Sequence, residues 1–201
     1  MAGRSTLRIR AAAADLETLA PLAREGLGLR LPAGRTLRES LALDLGICPD
    51  CVEERLRTVF LDGSPVDDID AERLRPGCAL ALAGALPGVA GIAMRRDSPV
   101  GVFREGITSR ADDSAGEQAG DLDLTLRLFN SAAEECLVTV LAHGATVRGG
   151  RLAELLAGDA ARLAAAGFEL DGRALSRAEL IDALATREEP VLLKAVEWTN
   201  G

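Results

Sequence analysis

The triplet Leu-Asp-Gly occurs twice in similar surroundings, in "VFLDGSPVDDID" at residues 59–70 and in "FELDGRALSRAE" at residues 168–179, with an apolar residue three places after each glycine. An apolar run that ends in Asp-Gly predicts a strand entering a tight turn. Asp satisfies backbone groups there, and Gly takes the positive φ that other residues resist. The apolar residues that follow, Val66 and Leu175, return to the core. One such turn in each half of a chain predicts one strand-turn element used twice.

The flanking pattern repeats as well. In the first half, the alternating "TLRIR" (6–10) and "LGLRLPAG" (27–34) read as strands. In "RTLRESLALDLG" (35–46), Leu37, Leu41 and Leu45 form one helical face that Gly46 terminates. The strands "RTVFLDG" (57–63) and "CALALAG" (78–84) follow. The second half gives strands "LTLRLF" (124–129) and "ATVRGG" (145–150), helix "RLAELLAG" (151–158), then strands "FELDG" (168–172) and "PVLLKAV" (190–196). Leu31 answers Val147, Leu37 answers Leu152 and Leu61 answers Leu170, at offsets of about 109 to 117 residues.

Strand, strand, helix, strand, strand on about 80 residues predicts a β-grasp layout. The expected fold class is α+β, with tandem duplicated β-grasp (ubiquitin-like) domains at 1–91 and 122–201. Between them, "GIAMRRDSPVGVFREGI" (91–107) predicts a hairpin extension over 92–108, and "SRADDSAGEQAGD" (109–121), which lacks large apolar residues, a flexible linker.

Residues 6–91, through "TLRESLALDLG", "VFLDGSPVDD", "LRPGCALAL" and "ALPGVAG", resemble the ubiquitin-like sulfur carriers, namely the small subunit of molybdopterin synthase and the thiamine-pathway carrier. The resemblance implies a β-grasp fold. Carrier chemistry uses a free C-terminal Gly-Gly carboxylate, whereas "PGVAG" runs on into "IAMRRDSPVGVF" and the chain ends in "VEWTNG". A role in a sulfur-carrier pathway is therefore the alternative reading, and cleavage after Gly91 its requirement.

The net charge of −8 and the absence of a Lys/Arg-rich run exclude a basic nucleic-acid groove. No stretch approaches the 18 to 20 apolar residues of a membrane span, roughly, and the N-terminus lacks a signal-like apolar core. Membrane and nucleic acid are thus not expected partners, and a cytoplasmic protein is expected. In that compartment Cys48, Cys51, Cys78 and Cys136 are expected as thiols or metal ligands rather than disulfides.

Cys48-Pro-Asp-Cys51 is the one sulfur motif, and three readings stay open: a redox pair, half of a metal site with Cys136 and His143, or a tight turn with small thiols. Arg95, Arg96 and Arg104 make the most concentrated basic patch, a candidate partner surface. Trp198, just past the last strand, either closes the second domain or marks a contact surface. Asp67, Asp68, Asp70 and Glu72 form an acidic turn without EF-hand spacing. No nucleotide loop, serine elbow or other catalytic constellation is present, and no cofactor is expected. The functional expectation is a non-catalytic protein-interaction or adaptor role with a protein partner.

Overall fold

The structure is a computed structural model and describes residues 5–96, 98, 120–158 and 162–198. Among these it has ten strands and seven α-helices in a mixed α/β arrangement. In chain order they begin with β1 (Thr6–Ala11), α1 (Ala13–Leu16), α2 (Ala20–Glu25) and β2 (Leu27–Pro32). Then come α3 (Leu37–Glu39), continued by a π-helical turn Ser40–Asp44, and a second π-helical turn Cys51–Arg55. They are followed by β3 (Thr58–Leu61), β4 (Ser64–Pro65), β5 (Ala79–Ala83), α4 (Gly88–Met94) and β6 (Asp121–Phe129). The remainder is α5 (Ser131–His143), β7 (Ala145–Val147), α6 (Gly149–Gly158), β8 (Gly167–Leu170), β9 (Arg173–Leu175), α7 (Arg177–Ala185) and β10 (Val191–Glu197). No described helix is long and apolar enough to cross a membrane.

The chain forms two compact units. A contiguous unit comprises Gly28–Cys136, and a composite unit joins Met1–Leu27 to Leu137–Gly201. In the contiguous unit the strand order is β4-β3-β5-β6-β2, with β5 antiparallel to β3 and parallel to β6. In the composite unit it is β9-β8-β1-β10-β7, with β1 antiparallel to β8 and parallel to β10. The order corresponds position by position, and the sense of β3-β5-β6 matches that of β8-β1-β10.

The residue registers also superpose, and the Asp-Gly turns show it. Asp62 and Gly63 take φ of 51° and 83°, and Asp171 and Gly172 take 52° and 83°. Two consecutive positive values make the two-residue turn whose twist suits a hairpin, here β3–β4 and β8–β9. Each Asp then reaches the strand next door. Asp62 Oδ1 accepts from the Ala79 amide at 2.7 Å, and the Asp62 N–H donates to Ala79 O at 2.8 Å. Asp171 Oδ1 accepts from Thr6 N–H at 2.7 Å, and the Asp171 N–H donates to Thr6 O at 2.9 Å. Onward, Leu61 faces Leu80 as Leu170 faces Leu7, and Val59 faces Leu82 as Phe168 faces Ile9.

The position held by β5 in the contiguous unit is therefore held in the composite unit by β1, the first strand of the chain. This corrects the expected matching, in which 6–10 answered 124–129 and 78–84 answered 190–196. Observed spatial equivalents are β1 with β5 and β10 with β6. The physical reason lies in the strands themselves: all four alternate buried and less buried residues and sit centrally, so burial pattern alone does not distinguish them. Boundaries at 91 and 122 follow the chain, whereas the compact units follow the strands.

The first expected helix forms as read, with Leu37, Leu41 and Leu45 buried and Gly46 at φ 71° ending it. Thr36 opens it with a capping box: its Oγ1 accepts from Glu39 N–H at 3.2 Å, and Glu39 Oε2 accepts from Thr36 N–H at 2.8 Å. In 145–150 the strand stops at Val147, and Gly149 and Gly150 already belong to α6. The expected hairpin extension fails at its start, because 88–94 is helix α4; residues 99–108 of it lie outside the described residues, as do 109–119 of the linker. Its apolar-polar runs are short enough to suit either helix or strand.

Candidate functional site

Two places gather side chains that the core does not consume. The first is on the composite unit, where strand alternation turns Leu7, Ile9 and Ala11 inward and Arg8 and Arg10 outward. Pairing sets Val196 beside Arg10 and Arg10 beside Gly167, a row across three strands. Trp198 continues the exposed side of β10, held by its N–H donating to Ala11 O at 2.9 Å. A side chain on Gly167 would meet only Arg10 Cβ, at 3.9 Å, so the row carries an open trough of about 440 Å³ lined by Arg10, Gly167, Val196, Glu197 and Trp198. Val196 is 48% exposed and Trp198 56% exposed. One row away Arg8 is paired with Glu169 at 3.0 Å, whereas Arg10 makes no ion pair among the described residues.

The second is the turn Cys48–Arg55 of the contiguous unit. Cys48 and Cys51 are joined in a disulfide with Cα atoms 5.1 Å apart. This corrects the expectation of four free thiols or metal ligands; a four-residue loop already folded into a turn brings two sulfurs within bonding reach. Cys48 is exposed and Cys51 half-buried. Cys51 N–H points at Cys48 Sγ, 3.1 Å away. The turn is anchored from three sides. Val52 and Leu56 are buried in the core. The Arg38 guanidinium donates to Asp70 at 2.5 and 3.0 Å and to Glu53 Oε1. Arg96, only 7% exposed, donates Nε to Leu56 O at 3.1 Å and Nη2 to Val52 O at 2.6 Å. Arg38 beside Asp70 holds that carboxyl below its ordinary range.

No protein-family model, curated protein or solved structure matches this chain.

The remaining expected site residues scatter. Arg95 is exposed but Arg96 is a buried brace, so the expected basic patch does not form as such; Arg104 lies outside the described residues. An arginine that finds two backbone carbonyls to bond is worth more to the fold inside than outside, which a count of charges in sequence does not reveal. Cys136 is buried in α5 with its thiol pushed up to about 12 by desolvation, and Cys78 is buried and raised for the same reason. His143 ends α5. Among the described residues no group of three or more His, Cys, Asp or Glu is placed to hold a metal ion. In the acidic turn, Asp68 Oδ1 accepts from the Asp70 and Ala71 amides at 2.9 and 3.0 Å, Glu72 is buried and Asp70 is bound by Arg38. Pro87–Gly91, the stretch that resembles a carrier tail, runs into α4. Trp198 lies on the surface rather than closing the composite unit. Sequence reasoning missed Arg10, Gly167 and Val196, whose row depends on a register between strands more than 150 residues apart.

Proposed function

We propose that this chain is a non-catalytic protein-interaction protein built on two β-grasp units. Its docking surface is the Trp198–Val196–Arg10–Gly167 row. The strand order in each unit, with two parallel central strands and an antiparallel hairpin beside one of them, supports the β-grasp reading, as does the helix that follows the outer strand. The observation that carries the interaction reading is an exposed tryptophan and valine beside an arginine without an ion-pair partner among the described residues, over a trough left open by a glycine. Tryptophan and arginine dominate the binding energy of protein interfaces because each offers a large contact area and a directional polar group. A protein segment with an apolar side chain next to an acidic one fits this row: the apolar group fills the trough and the carboxylate meets Arg10. Fold and role remain separate arguments, and the role rests on the row.

Affinity purification from the native cells tests it, comparing wild type with Trp198→Ser/Arg10→Glu. A stoichiometric protein partner retained by wild type and reduced at least about ten-fold by the double variant is expected, since interface anchors of this kind are each worth about 1–2 kcal/mol or more. Circular dichroism of the variant should match wild type. No partner on wild type, or equal recovery on both, overturns the reading.

A further inference from the structure

We infer that Cys48 and Cys51 form a reversible thiol–disulfide exchange site, with Cys48 as the sulfur that attacks and is attacked, acting on a dithiol or disulfide of a partner. It stands on the contiguous unit, adds redox chemistry to the non-catalytic role proposed for the docking row, and does not depend on that interaction reading.

Three observations carry it. The first is accessibility: exchange needs a sulfur that another thiolate can approach, and Cys48 is exposed while Cys51, its resolving partner, is half-buried behind it. The same unit holds Cys78 and Cys136 buried, where thiols are inert.

The second is the amide. Cys51 N–H lies 3.1 Å from Cys48 Sγ and is not committed to the sheet. Once the bond is cut, that donor faces the sulfur that carries the charge and favours thiolate over thiol at Cys48.

The third is that the turn does not depend on the bond. A cross-link across a sequence separation of three constrains the unfolded chain far less than a long-loop bridge does. Meanwhile Val52, Leu56, the Arg38–Glu53 ion pair and the carbonyl bonds from Arg96 fix the turn independently. Reduction therefore leaves the Cys51 amide aimed where it was. A structural staple would show the opposite arrangement, a long loop with little else to hold it.

A partner dithiol presents one thiolate to Cys48 Sγ; an S–S bond forms there as the Cys48–Cys51 bond breaks, and Cys51 leaves as a thiolate that takes a proton from water. The partner's second thiolate then attacks its own sulfur in the mixed disulfide, and Cys48 leaves as the thiolate bonded by Cys51 N–H. Two electrons pass to this chain, and the partner becomes a disulfide. The reverse sequence oxidises the pair.

The test uses the full chain, reduced and then exchanged into glutathione buffers of varied poise, with alkylation quench and mass spectrometry. Separately, the rate of iodoacetamide alkylation of each cysteine is followed against pH. At pH 7, Cys48 of the reduced protein should alkylate about ten-fold faster than an unperturbed cysteine of pKa near 8.5, while Cys78 and Cys136 remain protected. The Cys48–Cys51 bond should re-form at oxidising poise. Cys51→Ser, with Cys51→Ala as a second variant, should accumulate glutathione on Cys48 that wild type resolves. An ordinary or slow Cys48, no disulfide at any poise, or uptake of one zinc ion per reduced chain with loss of thiol reactivity would each overturn the inference. Wild-type kinetics decide the matter even if both variants misfold.

Discussion

The two Asp-Gly hairpins sit in the same register against the same kind of neighbour, yet the chain supplies that neighbour in different ways. In the contiguous unit β5 follows its hairpin across residues 66–78, whereas in the composite unit the equivalent strand β1 comes from the opposite end of the chain. The two units also part after the hairpin. One makes a single turn held by Asp68, and the other the nine-residue helix α7, opened by Ser176. The lesson is that a central strand position is defined by its face pattern and by the aspartate that receives its first amide. Which segment fills it is decided by the closure of the whole chain.

Weakening each central strand alone should have the largest effect. Ile9→Ala and Leu82→Ala remove matched, fully buried side chains and should each cost about 3 kcal/mol. Hydrogen exchange read residue by residue should show Ile9→Ala loosening β8 and β10, and Leu82→Ala loosening β3 and β6. If Ile9→Ala instead exposes β2, the strands pair consecutively and the equivalence of β1 with β5 is wrong.

A buried and a half-buried arginine give the next largest contrast. Arg96 donates to the Leu56 and Val52 carbonyls beneath the Cys48 turn, while the half-buried Arg177 donates its Nε to Leu156 O at the end of α6, at 2.8 Å. Arg96→Ala should cost about 2–3 kcal/mol and Arg177→Ala about 1 kcal/mol in denaturant unfolding, since charge-assisted bonds to buried carbonyls are worth more than exposed ones. Equal losses would mean that burial of Arg96 adds nothing to its role.

The aspartates test the equivalence directly. Asp62→Ala and Asp171→Ala each remove the acceptor for a strand's first amide and place alanine at a positive φ. Each should cost about 1–2 kcal/mol, nearly equally in the two units, by the same denaturant measurement. Asp62→Asn and Asp171→Asn, which keep an acceptor and tolerate that backbone, should recover most of it.

How much of this could be read from residues alone follows from what kind of physics each feature rests on. The Leu-Asp-Gly turns, the Leu37-Leu41-Leu45 face and most of the strands are local, and they were legible. Helices α5 and α7 were not read. In α5 Ala133, Cys136, Leu137, Val140 and Leu141 are buried at helical spacing, so the face is present in the sequence, although its first turn is built of small residues that give a weak signal. In α7 only Leu180 and Leu184 turn inward, although the Ser176–Glu179 pair signals its start. The crosswise pairing and the Trp198 row depend on register between distant strands, which no window of sequence contains. Cys48 and Cys51 were visible as a motif, but the exposure of Cys48, the aim of the Cys51 amide and the independent anchors, on which the exchange proposal rests, belong to the folded chain. Arg96 inverted the expectation because its partners are backbone carbonyls, invisible to charge counting.

The smallest expected effect concerns one device set at two different places. Thr36–Glu39 caps the helix that precedes its hairpin, and Ser176–Glu179 caps the helix that follows the other. Hydrogen bonds from Thr36 hold Glu39 below the ordinary glutamate value of 4.5, and those from Ser176 do the same to Glu179. A carboxyl whose folded pKa is depressed contributes stability above its unfolded pKa and loses it as pH falls through the folded one. Acidification below the ordinary glutamate range should therefore fray both helix starts while the strands persist, to an extent kept small by the exposure of both side chains. Carboxyl titration by nuclear magnetic resonance should give both glutamates midpoints below 4.5. Thr36→Ala should return Glu39 toward that value without moving Glu179, and Ser176→Ala should do the converse. A shift of both glutamates by either substitution would mean that the two caps are coupled, and the comparison of independent units would then have to give way to a single cooperative fold.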